Sequence, residues 1–207
     1  MSHRIYTTPG FVVGSRPHGE GGKILFIFTQ ELGQVSSIAQ GIRLSKSKLR
    51  YHAQDYSMAN FSLVRGKDFW RVVGAEPMKE PMKDRQSQTV STSVPTSTPA
   101  YALRVRMFSV LSRLLQGEEK NATLFEAVDA ACQFLDTPEA KDSVDVAEPI
   151  IMLRILHHLG YVRLIPDLAP FLTNNSFTPE LFKTMAMPGM KTKAIKEINT
   201  ALQESHL

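Results

Sequence analysis

The sequence predicts an α+β protein, in which a small five-stranded β-barrel is followed by an all-α unit. Residues 5–76 alternate β-rich runs with turns rich in glycine, which is typical of short strands. Residues 77–100 are punctuated by proline and rich in Ser and Thr, and the remaining chain has apolar residues at helical spacing. The predicted domains are therefore a barrel over 1–80, a linker over 81–100 and a helical domain over 101–207.

The first domain is predicted to contain five strands and one short helix. The strands are Ile5–Val13, Lys23–Thr29, Gln34–Ile42, Ser57–Val64 and Phe69–Ala75, and the helix lies within Lys46–Gln54 after a Ser45 cap. Gly10 is predicted as a bulge or sharp bend. A helix between the third and fourth strands is the order of the five-stranded oligonucleotide-binding (OB) fold. Other small barrels also use short strands with glycine at the bends, and they stay possible on this evidence.

The C-terminal part is predicted to be helical throughout. The predicted helices are Tyr101–Leu115, Asn121–Leu135, Val146–Leu159, Pro166–Leu172, Pro179–Met187 and Met190–Glu204. Thr123 and Glu126 have the spacing of a capping box at the start of the second of these helices. Gln86 to Thr98 has too few large apolar residues to offset the entropy of ordering, so this part of the linker is predicted to be mobile.

The charge is unevenly distributed along the chain. Residues 1–83 hold twelve Lys and Arg against six Asp and Glu, whereas the remainder holds twelve against fourteen, within a net charge of +4. A basic barrel beside a nearly neutral helical part predicts a polyanionic partner for the barrel.

Several other classes of protein are disfavoured. The single cysteine, Cys132, excludes an internal disulfide and a Cys-rich zinc site. Gly19–Lys23 does not fit a phosphate-binding loop, because Ile24 follows the lysine and the chain enters a strand. His157 and His158 are adjacent and would point about 100° apart on a helix, so they do not fit a metal site. No arrangement of residues suggests catalysis, so neither an enzyme nor a cofactor is expected.

The start of the chain lacks the apolar core of a signal peptide, and no apolar run approaches the ~20 residues of a membrane span. A soluble, cytoplasmic protein without a membrane partner is expected.

Cations of the barrel form the candidate nucleic-acid-binding set. Residues 41–50 carry four of them and no acid, so they are too closely spaced to be buried as a group. Tyr51, Tyr56, Phe69 and Trp70 lie nearby in sequence, and nucleobases stack on exposed rings. The alternative is an ordinary solvated face. The candidate residues are Arg16, Lys23, Arg43, Lys46, Lys48, Arg50, Arg65, Lys67 and Arg71.

Four short motifs carry a family resemblance. Phe11–Glu20, Phe28–Ser36, Ala39–Arg43 and Lys46–Leu49 resemble, in order and spacing, the N-terminal barrel of RecO, the bacterial recombination mediator family. Leu153–Tyr161 resembles the central helix of that family. The resemblance covers residues 5–76 well and residues 101–165 loosely.

The resemblance implies a non-catalytic, nucleoid-associated DNA-binding protein. Such proteins bind single- and double-stranded DNA, anneal complementary strands, join RecR and help RecA to replace single-strand-binding protein, whose acidic C-terminal tail docks on the helical domain. The resemblance implies phosphate contacts for Arg16, Arg43, Lys46 and Lys48, whereas Lys23, Arg50 and Arg71 are added from charge alone. Arg104, Arg106 and Arg154 are the cations that could serve the tail.

The chain also departs from the family pattern. Gln34 and Gln40 stand where Arg or Lys is common, which predicts weaker DNA binding. The four-cysteine zinc module is missing, so no metal is expected. Ile150–Met152 replaces a charged helix start, which argues against docking of the tail. Two alternatives stay open: an RNA-binding OB barrel, and a protein–protein scaffold that has lost DNA binding.

Overall fold

The computed structural model describes residues 4–78 and 98–205, and these residues divide into two compact units. The first unit contains residues 4–78 together with Leu115–Asn121, and the second contains residues 98–114 and 122–205. Residues 81–97 of the predicted linker lie outside the described residues, so the structure does not test the predicted mobility of this segment.

The first unit is a closed five-stranded barrel. The elements are β1 (Ile5–His18), β2 (Gly22–Thr29), β3 (Gly33–Ala39), α1 (Leu49–His52), β4 (Met58–Arg65) and β5 (Trp70–Glu76). The strands close in the order β1-β2-β3-β5-β4, with antiparallel pairs except for the parallel contact between β3 and β5. This arrangement, with a helix between β3 and β4, is that of the OB fold. The predicted barrel is therefore confirmed.

Strand β1 is longer than the sequence predicted. It continues past Val13 to His18, and its register against β2 shifts between Val12 and Gly14. Of the two alternatives predicted for Gly10, the bulge was therefore wrong, and the sharp bend stays a prediction. Gly10 is needed for another reason, because a Cβ atom there would lie 2.7 Å from Cγ2 of Ile27.

Alternation along the strands builds the barrel core. In β3, for example, Val35, Ser37 and Ala39 are buried, whereas Ser36 and Ile38 between them are half-buried. Inward residues of the other strands complete the core, and each fully buried large side chain contributes about 1.5–3 kcal/mol. The core residues include Val12, Leu25, Ile27, Val35, Ala39, Phe61, Leu63, Trp70 and Val72.

In the described residues of the second unit all regular secondary structure is helical, as predicted. Its helices are α2 (Pro99–Leu114), α3 (Ala122–Leu135), α4 (Ala140–His158), α5 (Ala169–Leu172), α6 (Pro179–Met185) and α7 (Met190–Glu204). Helix α4 is central, because α2, α3 and α7 all pack against it. Residues 149–156 are therefore buried on every side of this helix. It begins at Ala140 rather than at Val146. Thr123 lies inside α3, so its predicted role as the helix cap was wrong.

Candidate nucleic-acid interface

The β1–β2 hairpin and the loop after β3 meet at one end of the barrel. The backbone N–H of Arg43 donates a hydrogen bond to the carbonyl oxygen of Gly21 in the hairpin, at 3.0 Å. Gly41 takes the left-handed conformation (φ +67°) that turns the chain out of β3. Ile42 and Ala53 are buried in the barrel core, so the segment between them closes this end.

Six of the nine predicted cations belong to this hairpin and loop, and we call this group the basic end. Five of them are exposed and Lys23 is half-buried. Within residues 4–78 and 98–205, no carboxylate forms an ion pair with any of them. Unpaired cations held close together repel each other, so a polyanion is a favourable partner for this surface. The basic end consists of Arg16, Lys23, Arg43, Lys46, Lys48 and Arg50.

Two of these side chains are held in place by neutral neighbours. The Arg16 guanidinium lies over the ring of Phe26, 5.7 Å from its centroid. The Lys23 ammonium donates a hydrogen bond to Oγ of Ser15 at 3.2 Å. Both contacts fix the position of the cation and leave its charge uncompensated.

Arg71 lies on the same outer surface of the sheet as Arg16. Consecutive pairs join Arg16 to Ile24, Ile24 to Ile38 and Ile38 to Arg71 across the four strands β1, β2, β3 and β5. Directly paired residues share one face of a sheet, and three strand spacings separate their backbones by about 14 Å. The structure therefore brings Arg71 onto the sheet face next to the basic end.

Arg65 is compensated by an acid instead. Its Nη1 donates a hydrogen bond to Oε2 of Glu118 at 3.0 Å, and its guanidinium lies 5.3 Å from the centroid of the Trp70 ring. The indole Nε1 of Trp70 donates to Oε1 of the same Glu118 at 2.8 Å. Lys67 is exposed in the turn between β4 and β5. The structure does not group Arg65 with the unpaired cations.

Glu118 belongs to a segment that the sequence reasoning missed, Leu115–Asn121, which we call the barrel strap. The carbonyl oxygen of Gly117 accepts a hydrogen bond from the backbone N–H of Gln34 at 3.1 Å, and Lys120 pairs with Glu31 at 2.7 Å. The strap lies so close to Gly33 that a Cβ atom there would lie 2.4 Å from the carbonyl oxygen of Glu119. Only glycine fits at position 33, which also has a positive φ of +68°.

The two glutamines that were expected to weaken DNA binding, Gln34 and Gln40, have different surroundings. Gln34 is half-buried, and its backbone is bound by the barrel strap. Gln40 is exposed directly before Gly41, next to the basic end. Only the second glutamine therefore lies where a cation would extend the basic end.

Arg154, predicted as a partner contact, is buried in the second unit with 1% of its surface exposed. Its Nε, Nη1 and Nη2 atoms donate to the carbonyl oxygens of Phe171, Asn175 and Ser176 at 2.8, 3.0 and 2.8 Å. It also lies 4.5 Å from the centroid of the Phe177 ring. Burial lowers the pKa of Arg154 to about 10. Arg154 thus stabilises the loop after α5 by binding its backbone carbonyl groups.

The other two predicted partner contacts lie nearer the surface. Arg104 donates to Oδ1 of Asp136 at 2.6 Å and to the carbonyl oxygen of Cys132 at 3.1 Å. Arg106 forms two hydrogen bonds with Glu148, at 2.7 and 2.9 Å. It borders a groove of about 530 Å³ between α2, α4 and α7, whose apolar lining includes Val110, Pro149, Met152, Ile195, Ile198 and Leu202.

Two further features bear on chemistry. In the part of the chain that the structure describes, no three His, Cys, Asp or Glu side chains are grouped so that they could hold a metal ion. Burial raises the pKa of the Cys132 thiol to about 12, so this thiol is protonated at neutral pH.

None of the helices of residues 4–78 and 98–205 is long and apolar enough to cross a membrane.

Comparison with known proteins relates the barrel to one family. The family model described as "Recombination protein O N terminal" matches residues 1–80. The barrel of this chain is therefore similar to the N-terminal domain of RecO proteins. The RecO-type match includes every one of the nine barrel cations considered above and none of the strap.

Individual relatives agree with this family. A protein named "DNA repair protein RecO" from Alkaliphilus metalliredigens is 37% identical over 73 residues, which are 35% of this chain and 30% of that protein. One of the same name from Synechocystis is 37% identical over 73 residues, or 35% of this chain and 27% of that protein. Another from Caldanaerobacter subterraneus is 23% identical over 170 residues, 80% of this chain and 62% of that protein. Each of these three matches thus spans less than two thirds of the relative's own length.

Proposed function

We propose that this chain acts in recombinational DNA repair by binding single- and double-stranded DNA through its barrel, without catalysis. The observation that supports this most is the basic end, whose six cations lack acid partners among the described residues. The similarity to proteins named "DNA repair protein RecO" supports a role in DNA repair. Phosphates are the groups such cations bind, since backbone contacts supply most of non-specific DNA affinity.

The proposed action is to hold strands rather than to change them. Lysine and arginine contacts to phosphate carry no sequence information, so the barrel would accept any sequence. Neutralising the phosphates of two complementary strands lowers their repulsion, which favours annealing. The cations that serve this role in the proposal are the six of the basic end, and Arg71 lies on the sheet face next to them.

Partner recruitment is assigned to the helical unit in this proposal. The RecO family implies RecR and the acidic tail of single-strand-binding protein as partners, with help to RecA as the result. Arg106 is the one of the three candidate arginines that is exposed and borders an apolar groove. A tail with acidic and apolar residues would need both features.

The salt dependence of binding tests the proposal. If six cations contact phosphates of a single strand, the slope of log affinity against log salt is about −4. Replacing Arg43, Lys46 and Lys48 together by glutamine should make that slope shallower by about 2 and abolish annealing, because three phosphate contacts are lost. These side chains are exposed, so the unfolding midpoint should change little.

A matched control removes the same charge elsewhere. Arg113, Arg163 and Lys196 are exposed in the helical unit, and their replacement by glutamine should leave the slope unchanged. A wild-type slope near zero, or an equal effect of both triple variants, would reject the proposal. Tighter binding to RNA than to DNA of the same length would favour the RNA-binding alternative, and co-purification with RecR without DNA binding would favour the scaffold.

A further inference from the structure

The structure separates the four aromatic residues that lie near the basic cations in sequence. Trp70 is 3% exposed, and its indole N–H is bound to Glu118. Tyr56 and Phe69 are half-buried. Tyr51, in contrast, is 65% exposed. Tyr51 is therefore the aromatic residue of this group whose ring is available to a ligand.

Tyr51 lies within the basic end itself. It belongs to the one-turn helix α1, where its backbone N–H donates to the carbonyl oxygen of Lys48, and Arg50 precedes it in the chain. Within residues 4–78 and 98–205, its side chain forms neither a hydrogen bond nor a ring contact with the rest of the protein. An exposed aromatic ring next to cations that bind the phosphates of a strand can stack on a base of that strand.

The physics of stacking then distinguishes two forms of DNA. In a duplex both faces of each internal base are covered by its neighbours, so a protein ring has no free face to contact. In a single strand the bases can splay apart and stack on an aromatic side chain. The cations reach phosphates in both forms, whereas the ring gains a contact only with unpaired bases.

We propose that Tyr51 stacks on an unpaired nucleobase and thereby gives the basic end a preference for single-stranded over double-stranded nucleic acid. This inference rests on the proposed function, because it needs phosphates bound by the neighbouring cations. The cations of the basic end would not produce this preference by themselves, because they reach phosphates in both forms.

The test compares variants of the full chain on two DNA probes. One is a single strand containing 2-aminopurine, and the other is a duplex of equal length closed by hairpins, so that it offers no unpaired end. Tyr51→Ala should weaken binding to the single strand by about 5- to 150-fold, the range of one lost stacking contact, and leave duplex binding unchanged. Tyr51→Phe should bind both probes as the wild type does, because it retains the ring.

Two readouts separate stacking from a structural role. The 2-aminopurine fluorescence should be quenched by the wild type and Tyr51→Phe but not by Tyr51→Ala. Ile5→Ala is the matched control, since Ile5 is 59% exposed on β1 outside the basic end and its loss should change neither probe. The salt slope of Tyr51→Ala should equal that of the wild type, because no charge is removed.

The outcomes also separate this inference from the proposed function. A wild-type slope near −4 with equal single-strand affinity for Tyr51→Ala would overturn the stacking proposal alone. An equal loss of affinity for both probes would overturn it as well, because removing a ring that contacts only unpaired bases should not weaken binding to the duplex. A wild-type slope near zero would overturn the proposed function, and this inference with it.

Discussion

Removing the Glu118 carboxylate should destabilise the barrel by an amount that depends on what replaces it. Glu118 accepts hydrogen bonds from two groups of very different exposure, the buried indole of Trp70 and the exposed guanidinium of Arg65. Glu118→Ala removes both acceptors. Glu118→Gln keeps one carbonyl oxygen for the indole, but it removes the negative charge and puts an NH2 donor in place of the oxygen that accepts from Arg65.

The contacts give the expected magnitudes. A buried N–H group left without an acceptor costs about 1–3 kcal/mol of unfolding free energy, and this applies to the Trp70 indole in Glu118→Ala. The ion pair with Arg65 contributes at most about 1 kcal/mol, because 66% of the arginine side chain and 41% of the glutamate side chain are exposed. The alanine variant, which loses both contacts, should therefore lose about 1–4 kcal/mol, and the glutamine variant less than about 1 kcal/mol.

Urea unfolding followed by fluorescence measures these changes. Trp70 is the single tryptophan of the chain, so its emission reports the barrel directly. Glu119→Ala is the matched control, since it removes a neighbouring exposed acid and should change the unfolding free energy by less than about 0.5 kcal/mol. Equal stabilities of Glu118→Ala and Glu119→Ala would refute the reasoning. A DNA titration of Glu118→Gln examines Arg65 separately: a slope steeper by about 0.7 would mean that the released guanidinium reaches a phosphate.

Two further predictions concern the helical unit. Arg154→Met should lower the unfolding free energy by about 1–3 kcal/mol in urea titrations followed by circular dichroism, because the buried carbonyl of Phe171 loses its donor; an unchanged midpoint would contradict this. Burial, with the nearby His157, lowers the pKa of His158, so the unfolded chain binds a proton in mildly acidic solution that the folded chain does not. Stability should therefore fall as the pH is lowered from 7 to 5, and His158→Gln should flatten this dependence; equal pH profiles of the variant and the wild type would count against it.

Much of the architecture could be predicted because its signals are local. The alternation in Gln34–Ile42 and the helical spacing in Met190–Glu204 are each contained in one element, and both elements are present. The grouping of Arg43 with Lys46 and Lys48 is likewise local, since the three residues share one loop. The length of β1 was not predictable in this way, because the bulge that lets it continue depends on pairing with a second strand.

The surroundings of single cations were not predictable, because their partners are distant in sequence. Arg65 looks like any exposed arginine until Glu118, 53 residues later, is seen beside it. Arg154 lies in a strongly apolar helix, and the three carbonyl groups that bind it come from residues 17 to 22 positions further along. Every residue has a backbone carbonyl, so the sequence does not show which of them bind a buried arginine. Arg154 could therefore not be distinguished from an exposed cation by sequence alone.

The barrel strap has a consequence for how this protein can be divided. The family match stops at residue 80, yet the compact unit that contains the barrel also includes Leu115–Asn121. A fragment that ends where the family match ends would expose the amide of Gln34 and the indole of Trp70 to solvent or leave them unpaired. The segment matched by the family is thus shorter than the piece of chain that completes the barrel, and an isolated fragment of residues 1–80 would lack these contacts.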